Sequence, residues 1–413
     1  MCLSQRSMRT RTSGMRRVLF IVFLFSFHPV WAQGRMTLDQ FLTLAHQQNL
    51  DIKIERAKAD AASSKSSGLN IPPPVVGVSQ MKEQDGSTAS GFEISQSIPF
   101  PTKITSDHSA KKNEAKSQEE FRLANQTEVL ATAKLLYVNL WAAQEKQILL
   151  KEKKKILQGH LRLTRSSVRS DSFAAIHLLK AESDLDFLEN ELEQAEQTLK
   201  ERQFEATSFL NIDVAHLQVT MEEPALSEIP KIDEVSSHQV RAREWSLESA
   251  KSREREAKSS WLPDFNLRYK EMGGTSMSRK YNEVMVGVTL PFVFPWGPSS
   301  ESGRASAERL QKEFELEKEK RKIFTEKASL LSRIHSIKSQ LETLTEKLIP
   351  RAEKRMKIVH NVAPRDMETI QDHRETMEAF PELKMKALEL RVQYEEAIAN
   401  IEKYSLEKGA SYE

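Results

Sequence analysis

The hydrophobic pattern of this chain switches twice from a two-residue period to a helical one. In 91–98, Phe92, Ile94 and Ile98 fall on one side and Glu93, Ser95 and Ser97 on the other, with Gln96 a polar exception on the apolar side. That alternation predicts a strand with one dry and one wet face. Ile98-Pro99-Phe100-Pro101 closes it, and a long polar segment of helical composition follows. From 283 the device returns. Val284, Val286, Val288, Leu290 and Phe292 alternate with Glu283, Met285, Gly287, Thr289 and Pro291, before a second proline-rich turn and a second long polar segment.

Other elements fall between these marks. Residues 36–67 predict one helix, with Thr37 as N-cap, Phe41, Leu42 and Ala45 on its apolar face, and Pro72-Pro73-Pro74 as its stop. Residues 75–81 predict a weak strand and 83–89 a polar turn, making a hairpin with the strand at 91. Nothing breaks a helix from 105 to 169, a length of roughly 65 residues or ~98 Å. A turn at Ser170-Asp171-Ser172 sends the chain back, and Leu178, Ala181, Leu185, Leu188, Leu192, Ala195 and Leu199 then alternate spacings of three and four, a heptad seam. Later, 235–260 predicts a helix that stops at Leu262-Pro263. Residues 264–272 predict a strand in which Phe265, Leu267 and Tyr269 alternate with Asn266, Arg268 and Lys270, and 273–282 a polar loop. A second long helix, 299–360, carries a seam of Ile334, Ile337, Leu341, Leu344 and Leu348, with a kink expected at Pro350. The last helix presents Leu383, Leu390, Tyr394 and Ile401 on one face.

The order helix, hairpin, long helix, helix is thus written twice, offset by about 190 to 195 residues. The predicted fold is mainly α with a small β part: internally duplicated long helical hairpins plus four strands. Its expected parts are a leader at 1–32, a first repeat at 33–211, a linker at 212–234, a second repeat at 235–405 and a tail at 406–413.

Composition narrows the function. Only 13 glycines among 413 residues, with 29% charged residues, favour long helices over compact globules. Arg16-Arg17 precede a ten-residue apolar run, 18–27, too short to span a bilayer but suited to a secretory signal, with Val30-Trp31-Ala32 as the cleavage site and Gln33 as the expected mature start. Met15 is a candidate initiator. The one cysteine, Cys2, lies in this leader, so no thiol, disulfide or lipid-anchoring cysteine is expected afterwards. Without the leader's five arginines, 56 Lys+Arg face 59 Asp+Glu, which gives no electrostatic reason to bind nucleic acid. No phosphate-binding glycine loop, HExxH or GxSxG motif is present, so neither enzyme activity, nor a cofactor, nor a metal site is expected. The ten histidines are dispersed without ligand spacing, and the basic runs 151–155 and 317–322 read as solvated helix faces.

Four strands cannot close a barrel, and lipid does not tolerate an open sheet edge. If the strands cross a membrane, several chains must pool them: two give eight and three give twelve, against a minimum of about eight in known barrels. Glu93, Ser95, Asn266, Arg268 and Lys270 would then face the lumen, and Phe92, Ile94, Phe265, Leu267, Val284, Val286 and Val288 the lipid. The other reading is a small soluble β-layer capping helical hairpins.

Several segments together resemble the TolC-like outer-membrane efflux proteins, over essentially the whole mature chain. MTLDQFLTLAHQQNLDIKIERAKADAA is similar to that family's opening helix. GFEISQSIPFPTK is similar to its strand-turn element, and the Ile-Pro-Phe-Pro form resembles members serving metal-ion exporters. Trp261-Leu262-Pro263-Asp264-Phe265 resembles the lead-in to the third strand, and HLLKAESDL, 177–185, the segment after the first hairpin tip. His177 stands where the family usually has Asp. Both tips lack the usual glycine, and METIQDH after the second tip barely matches. The resemblance implies a homotrimer: a transmembrane β-barrel in the outer membrane of a Gram-negative bacterium, continued as a periplasmic α-helical tube. It implies a channel subunit of a tripartite efflux or type I secretion system, with a periplasmic adaptor and an inner-membrane pump as partners. Arg169, Asp171, Arg365 and Asp366 at the two tips are gate candidates, since rings of like charge on an axis repel unless bridged. The alternative is a secreted periplasmic coiled-coil adaptor or scaffold, which would fractionate as soluble.

Overall fold

The computed structural model describes residues 35–167, 174–213, 219–230, 237–275, 278–360 and 367–406. The first predicted helix is two helices, α1 (Leu38–Gln48) and α2 (Leu50–Ser66). Thr37 caps α1 in a reciprocal box with Gln40, and Phe41, Leu42 and Ala45 are buried as expected. The break falls at Asn49, buried at 3% exposure. Its side-chain oxygen accepts from the Asp51 and Ile52 amides while its Nδ2 donates to the Phe209 carbonyl at 3.0 Å. One side chain thus ends α1, starts α2 and ties both to the far end of another helix. Helix α2 also stops at Ser66, ahead of Gly68, so the prolines at 72–74 are not its terminator.

Strands β1 (Val75–Lys82) and β2 (Thr88–Ile98) form a hairpin whose turn uses Gly86 at φ 84°, a left-handed conformation that glycine adopts without strain. Helix α3 (Pro101–Ser167) follows for 67 residues, starting four residues earlier than expected because proline is pre-set for the first helical turn. The chain returns in α4 (Ala174–Leu210). Helix α5 (His238–Lys258), capped by Ser237, leads through a 3₁₀ turn into β3 (Phe265–Met272) and then β4 (Tyr281–Val288). The alternation through Leu290 and Phe292 overstates β4: Pro291 opens a 3₁₀ turn, Pro291–Val293, because it has no N–H for the ladder.

Helix α6 (Trp296–Thr343) passes through one π turn, Leu344–Leu348, into α7 (Ile349–His360), and α8 (Met367–Glu402), with Pro381 inside it, is the last of the described helices. The π turn sits immediately before Pro350, whose missing N–H cannot close an α-helical bond. The wider turn also rotates the seam. Ile334, Ile337, Leu341 and Leu344 are at most 7% exposed, but Leu348, expected with them, is 40% exposed.

The helices pack side by side. On α4, Ala181, Leu188 and Ala195 bury against Leu150 and Leu157 of α3, with Leu185 and Leu192 half-buried beside them. The α6 seam packs on Leu390, Tyr394, Ala397, Ile398 and Ile401 of α8. Helix α3 also touches α8 and α5. The basic run at 151–155 is a bridge rather than a solvated face: Lys153 reaches Glu382 of α8 at 3.1 Å and Lys154 reaches Glu189 of α4 at 2.8 Å. In the run at 317–322, Lys320 pairs with Glu244 of α5 at 2.7 Å.

Candidate functional site

The four strands form one sheet in the order β1-β2-β3-β4, every pair antiparallel. Residues opposite one another across an antiparallel pair project to the same face. Val76, Ile94, Tyr269 and Val284 therefore make one row, with Val78 and Phe92 beside it towards the turns, and Leu267, Val286, Phe265 and Val288 towards the helices. Phe92 and Tyr269 touch, with ring centroids 5.9 Å apart. The opposite face carries Glu93, Lys270 and Glu283 in one row, then Ser95, Arg268 and Met285, then Ser97, Asn266 and Gly287. Arg268 lies 3.8 Å from both Glu93 and Glu283, so the cation on β3 is shared by acids on both neighbouring strands.

Sequence alternation placed Glu93, Ser95, Asn266, Arg268 and Lys270 on one face and Phe92, Ile94, Phe265, Leu267, Val284, Val286 and Val288 on the other, and the register brings each set together. Glu283, which alternation set on the polar side of β4 without its being named a lumen candidate, lies one strand over from Lys270 on the same face.

Exposure on the two faces is the reverse of a water-soluble sheet. Val78, Val284 and Val286 are 82%, 74% and 66% exposed, while Glu93, Ser95, Asn266, Arg268 and Lys270 are half-buried. An exposed, largely apolar face of this kind, interrupted by Gln96 towards the helices and by Glu271 and Asn282 towards the turns, marks contact with lipid or another protein.

Each end of the sheet has its own fastening. At the turn end, Glu83 accepts hydrogen bonds from Thr275 at 2.7 Å and Ser278 at 2.6 Å, joining the two polar loops. At the helix end, Asp264 accepts from the Phe100 amide at 2.9 Å and from Lys103 at 2.8 Å, and Lys103 also donates to the Leu262 carbonyl. The Asp264 amide in turn donates to the Thr289 hydroxyl at 2.7 Å. This elbow fixes the start of α3 against β3. Asp264 and Lys103 both lie in conspicuous sequence segments, but their pairing spans 161 residues and left no local signal.

The gate candidates Arg169, Asp171, Arg365 and Asp366 lie outside the described residues. Among the described residues no three His, Cys, Asp or Glu side chains converge with metal-binding geometry, and no helix is long and apolar enough to cross a membrane. The latter says nothing of strands. A groove of about 700 Å³ between α2, α3, α5 and α6 is lined by charges of both signs, including Glu55, Lys58, Arg243 and Lys322.

No family model matches the chain, and neither does any curated protein. Solved structures do. The chain is similar to the outer-membrane channel OprN, at 16% identity over 89% of each chain with a TM-score of 0.76. It is similar to the open state of the MtrE outer-membrane channel of Neisseria gonorrhoeae, at 14% identity over 89% of this chain and 88% of that one, TM-score 0.75. It is also similar to the CmeC outer-membrane channel of Campylobacter jejuni, at 16% identity over 89% and 84%, TM-score 0.74. At these identities the likeness is one of fold.

Proposed function

We propose that this chain is one subunit of a homotrimeric outer-membrane channel, the exit duct of a tripartite efflux or type I secretion system. The observation that carries this reading is the exposed dry face, with Val78, Val284 and Val286 open while Glu93, Arg268 and Lys270 on the charged face are half-buried. Three copies would pool twelve strands, place the dry faces on lipid, and turn Glu93, Ser95, Asn266, Arg268 and Lys270 towards a wet lumen. The similarity in fold to outer-membrane channels supports the channel reading. On this reading the two halves, 33–211 and 235–405, are structural repeats joined by 212–234. Their hairpins would form a periplasmic tube, with an adaptor and an inner-membrane pump docked at its far end, where Arg169, Asp171, Arg365 and Asp366 are gate candidates. The Ile98-Pro99-Phe100-Pro101 form makes metal ions the first cargo to test. Such a conduit lowers the barrier to solute passage through its lining and catalyses no reaction.

Planar-bilayer recording tests the proposal. Purified protein should give discrete single-channel steps, and Lys270→Glu should shift ion selectivity towards cations. Protein that pellets with outer membranes yet gives no steps, or steps whose selectivity ignores residue 270, would overturn it. Recovery in the soluble periplasmic fraction would favour the adaptor or scaffold instead.

A further inference from the structure

Each half of the chain passes from a strand into a long helix through a proline-containing elbow, and the two elbows are built differently. In the first, Ile98-Pro99-Phe100-Pro101, the backbone is drawn inward. The Phe100 amide donates to Asp264, and Lys103 donates to Asp264 and to the Leu262 carbonyl. Phe100 is half-buried, and Gln96, on the dry side of β2, donates to the Pro72 carbonyl. The second elbow, 290–296, turns outward. Its 3₁₀ turn leaves Phe292, Val293 and Phe294 exposed by 59%, 52% and 60%, and Trp296, the first residue of α6, is 70% exposed. The Phe294 and Trp296 rings meet edge-on at 5.3 Å, so they form one aromatic cluster. Left in water, these four side chains forgo the gain that burial brings, and a contiguous patch of this kind marks a contact.

The cluster continues the dry face of the sheet. Leu290, itself exposed, and Phe292 prolong in sequence the even-numbered row Val284, Val286 and Val288, beyond the last ladder pair, Phe265 with Val288. Depth gives the extension a purpose. The eight residues of β4 measure ~27 Å along the strand, and a tilt of about 40° leaves ~20 Å across a membrane. The apolar band of an outer-membrane barrel is about 25 Å tall. At the turn end the dry side is already interrupted by Glu271 and Asn282, which lie opposite one another. The missing apolar depth therefore falls at the helix end, where the second elbow supplies it.

We propose that the second elbow is a lipid-contacting foot: Phe292, Val293, Phe294 and Trp296 lie at the boundary between acyl chains and phospholipid headgroups in the leaflet nearest the helices, and fix how deep the sheet sits, while the first elbow is a clasp that faces protein. This rests on the channel reading above. Lipid is the occupant because the cluster is continuous with the dry face of the sheet. Its chemistry suits the boundary too: tryptophan joins an apolar ring to an N–H donor, which fits a layer that is dry on one side and wet on the other. The duplicated strand-to-helix device thus serves two purposes, one in each half. Three copies would set three feet around the barrel.

Tryptophan quenching in reconstituted vesicles tests the foot. The purified protein is placed in phosphatidylcholine vesicles whose acyl chains are unlabelled, brominated near the headgroup, or brominated deep in the chain. The Trp296 signal is the emission of the parent less that of Trp296→Phe. Brominated lipid should quench this signal, and shallow bromines should quench it more than deep ones. In the Trp296→Phe background, Phe100→Trp should add emission that brominated lipid leaves unchanged. Phe294→Trp in the same background should be quenched as Trp296 is, which keeps the test in hand should Phe100→Trp not fold. A Trp296 signal untouched by brominated lipid, whether water or a second copy covers the cluster, overturns the foot. Stronger quenching by deep bromines overturns its place at the boundary, and equal quenching at Phe100→Trp overturns the division between the elbows. Recording from the same vesicles separates these failures from failure of the channel reading: channel steps with an unquenched Trp296 overturn the foot alone, whereas silent vesicles overturn both.

Discussion

Tyr137 shows how single side chains hold the irregular segments of this molecule in place. It is fully buried at the middle of α3, its ring edge-on to Phe41 of α1 at 5.6 Å. Its hydroxyl lies 2.8 Å from the Met36 carbonyl and 2.7 Å from the Glu222 carbonyl, the two segments that also meet in the Met36–Met221 bridge. One hydroxyl thus pins the N-terminal segment and the central linker to the same helix. Tyr137→Phe should cost about 1–2 kcal/mol in denaturant unfolding, the penalty for leaving a buried acceptor underserved. Burial pushes the phenol up to about 12 from 10. A raised value means that folding favours the protonated form, so this contribution is complete below pH 10 and is lost as pH rises towards 12. The alkaline loss of stability should be shallower in Tyr137→Phe than in the parent.

Lys134 makes a comparable connection with charge. It donates to Glu402 at 2.8 Å and lies 3.8 Å from Glu395, which is 1% exposed and also accepts from the Ser227 amide at 3.0 Å. Arg391 is the other cation beside Glu395, at 3.5 Å. Removing Lys134 leaves a buried carboxylate with weaker compensation, so Lys134→Met should destabilise by about 3 kcal/mol. Adding Glu395→Gln should recover part of that loss. A double variant as unstable as the sum of its single changes would mean that the two groups are uncoupled.

At the scale of elements, Pro350 and its π turn make the sharpest case. If the proline forces the turn, Pro350→Ala should let α6 run into α7, return Leu348 to the seam and raise stability by about 1–3 kcal/mol in urea unfolding, within the cost of an interior helical proline. Lower stability would show that packing against α8 holds the turn instead. The same scale shows what the sequence could carry. Periods of two and of three-four over many residues are local, so the four strands and the seams of α4, α6 and α8 were legible, as was the Thr37 box. The break at Asn49 was not, because it depends on the Phe209 carbonyl 160 residues away. Leu348 misled because a heptad count assumes an unbroken α-helical phase. The two faces of the sheet were readable from alternation, whereas the Asp264–Lys103 elbow appears only when distant helices and strands are brought together.

For the whole molecule the question is what completes the sheet. Strands β1 and β4 each have one side without a partner among the described residues, and such edges invite further pairing. Their chemistry does little to prevent it. Val75, Val76 and Val78 on β1 and Val284, Val286 and Val288 on β4 are exposed, with Glu283 the charged residue on β4 and Lys82 that on β1. A soluble sheet would blunt these edges with charge, proline or a covering helix; in the proposed assembly, β1 of one copy would meet β4 of the next. The two edges differ, so such a contact would be head-to-tail and would close only as a ring. Eight strands from two copies are near the lower limit for a barrel, and the interior of so small a barrel is filled by side chains, whereas twelve from three leave room for a lumen. Detergent-extracted protein should therefore have the mass of three chains. Amides along β1 and β4 should resist hydrogen exchange as well as those of β2 and β3. A stable monomer whose β1 and β4 amides exchange freely while β2 and β3 remain protected would show that the edges stay open and that the four-stranded sheet is complete as one copy.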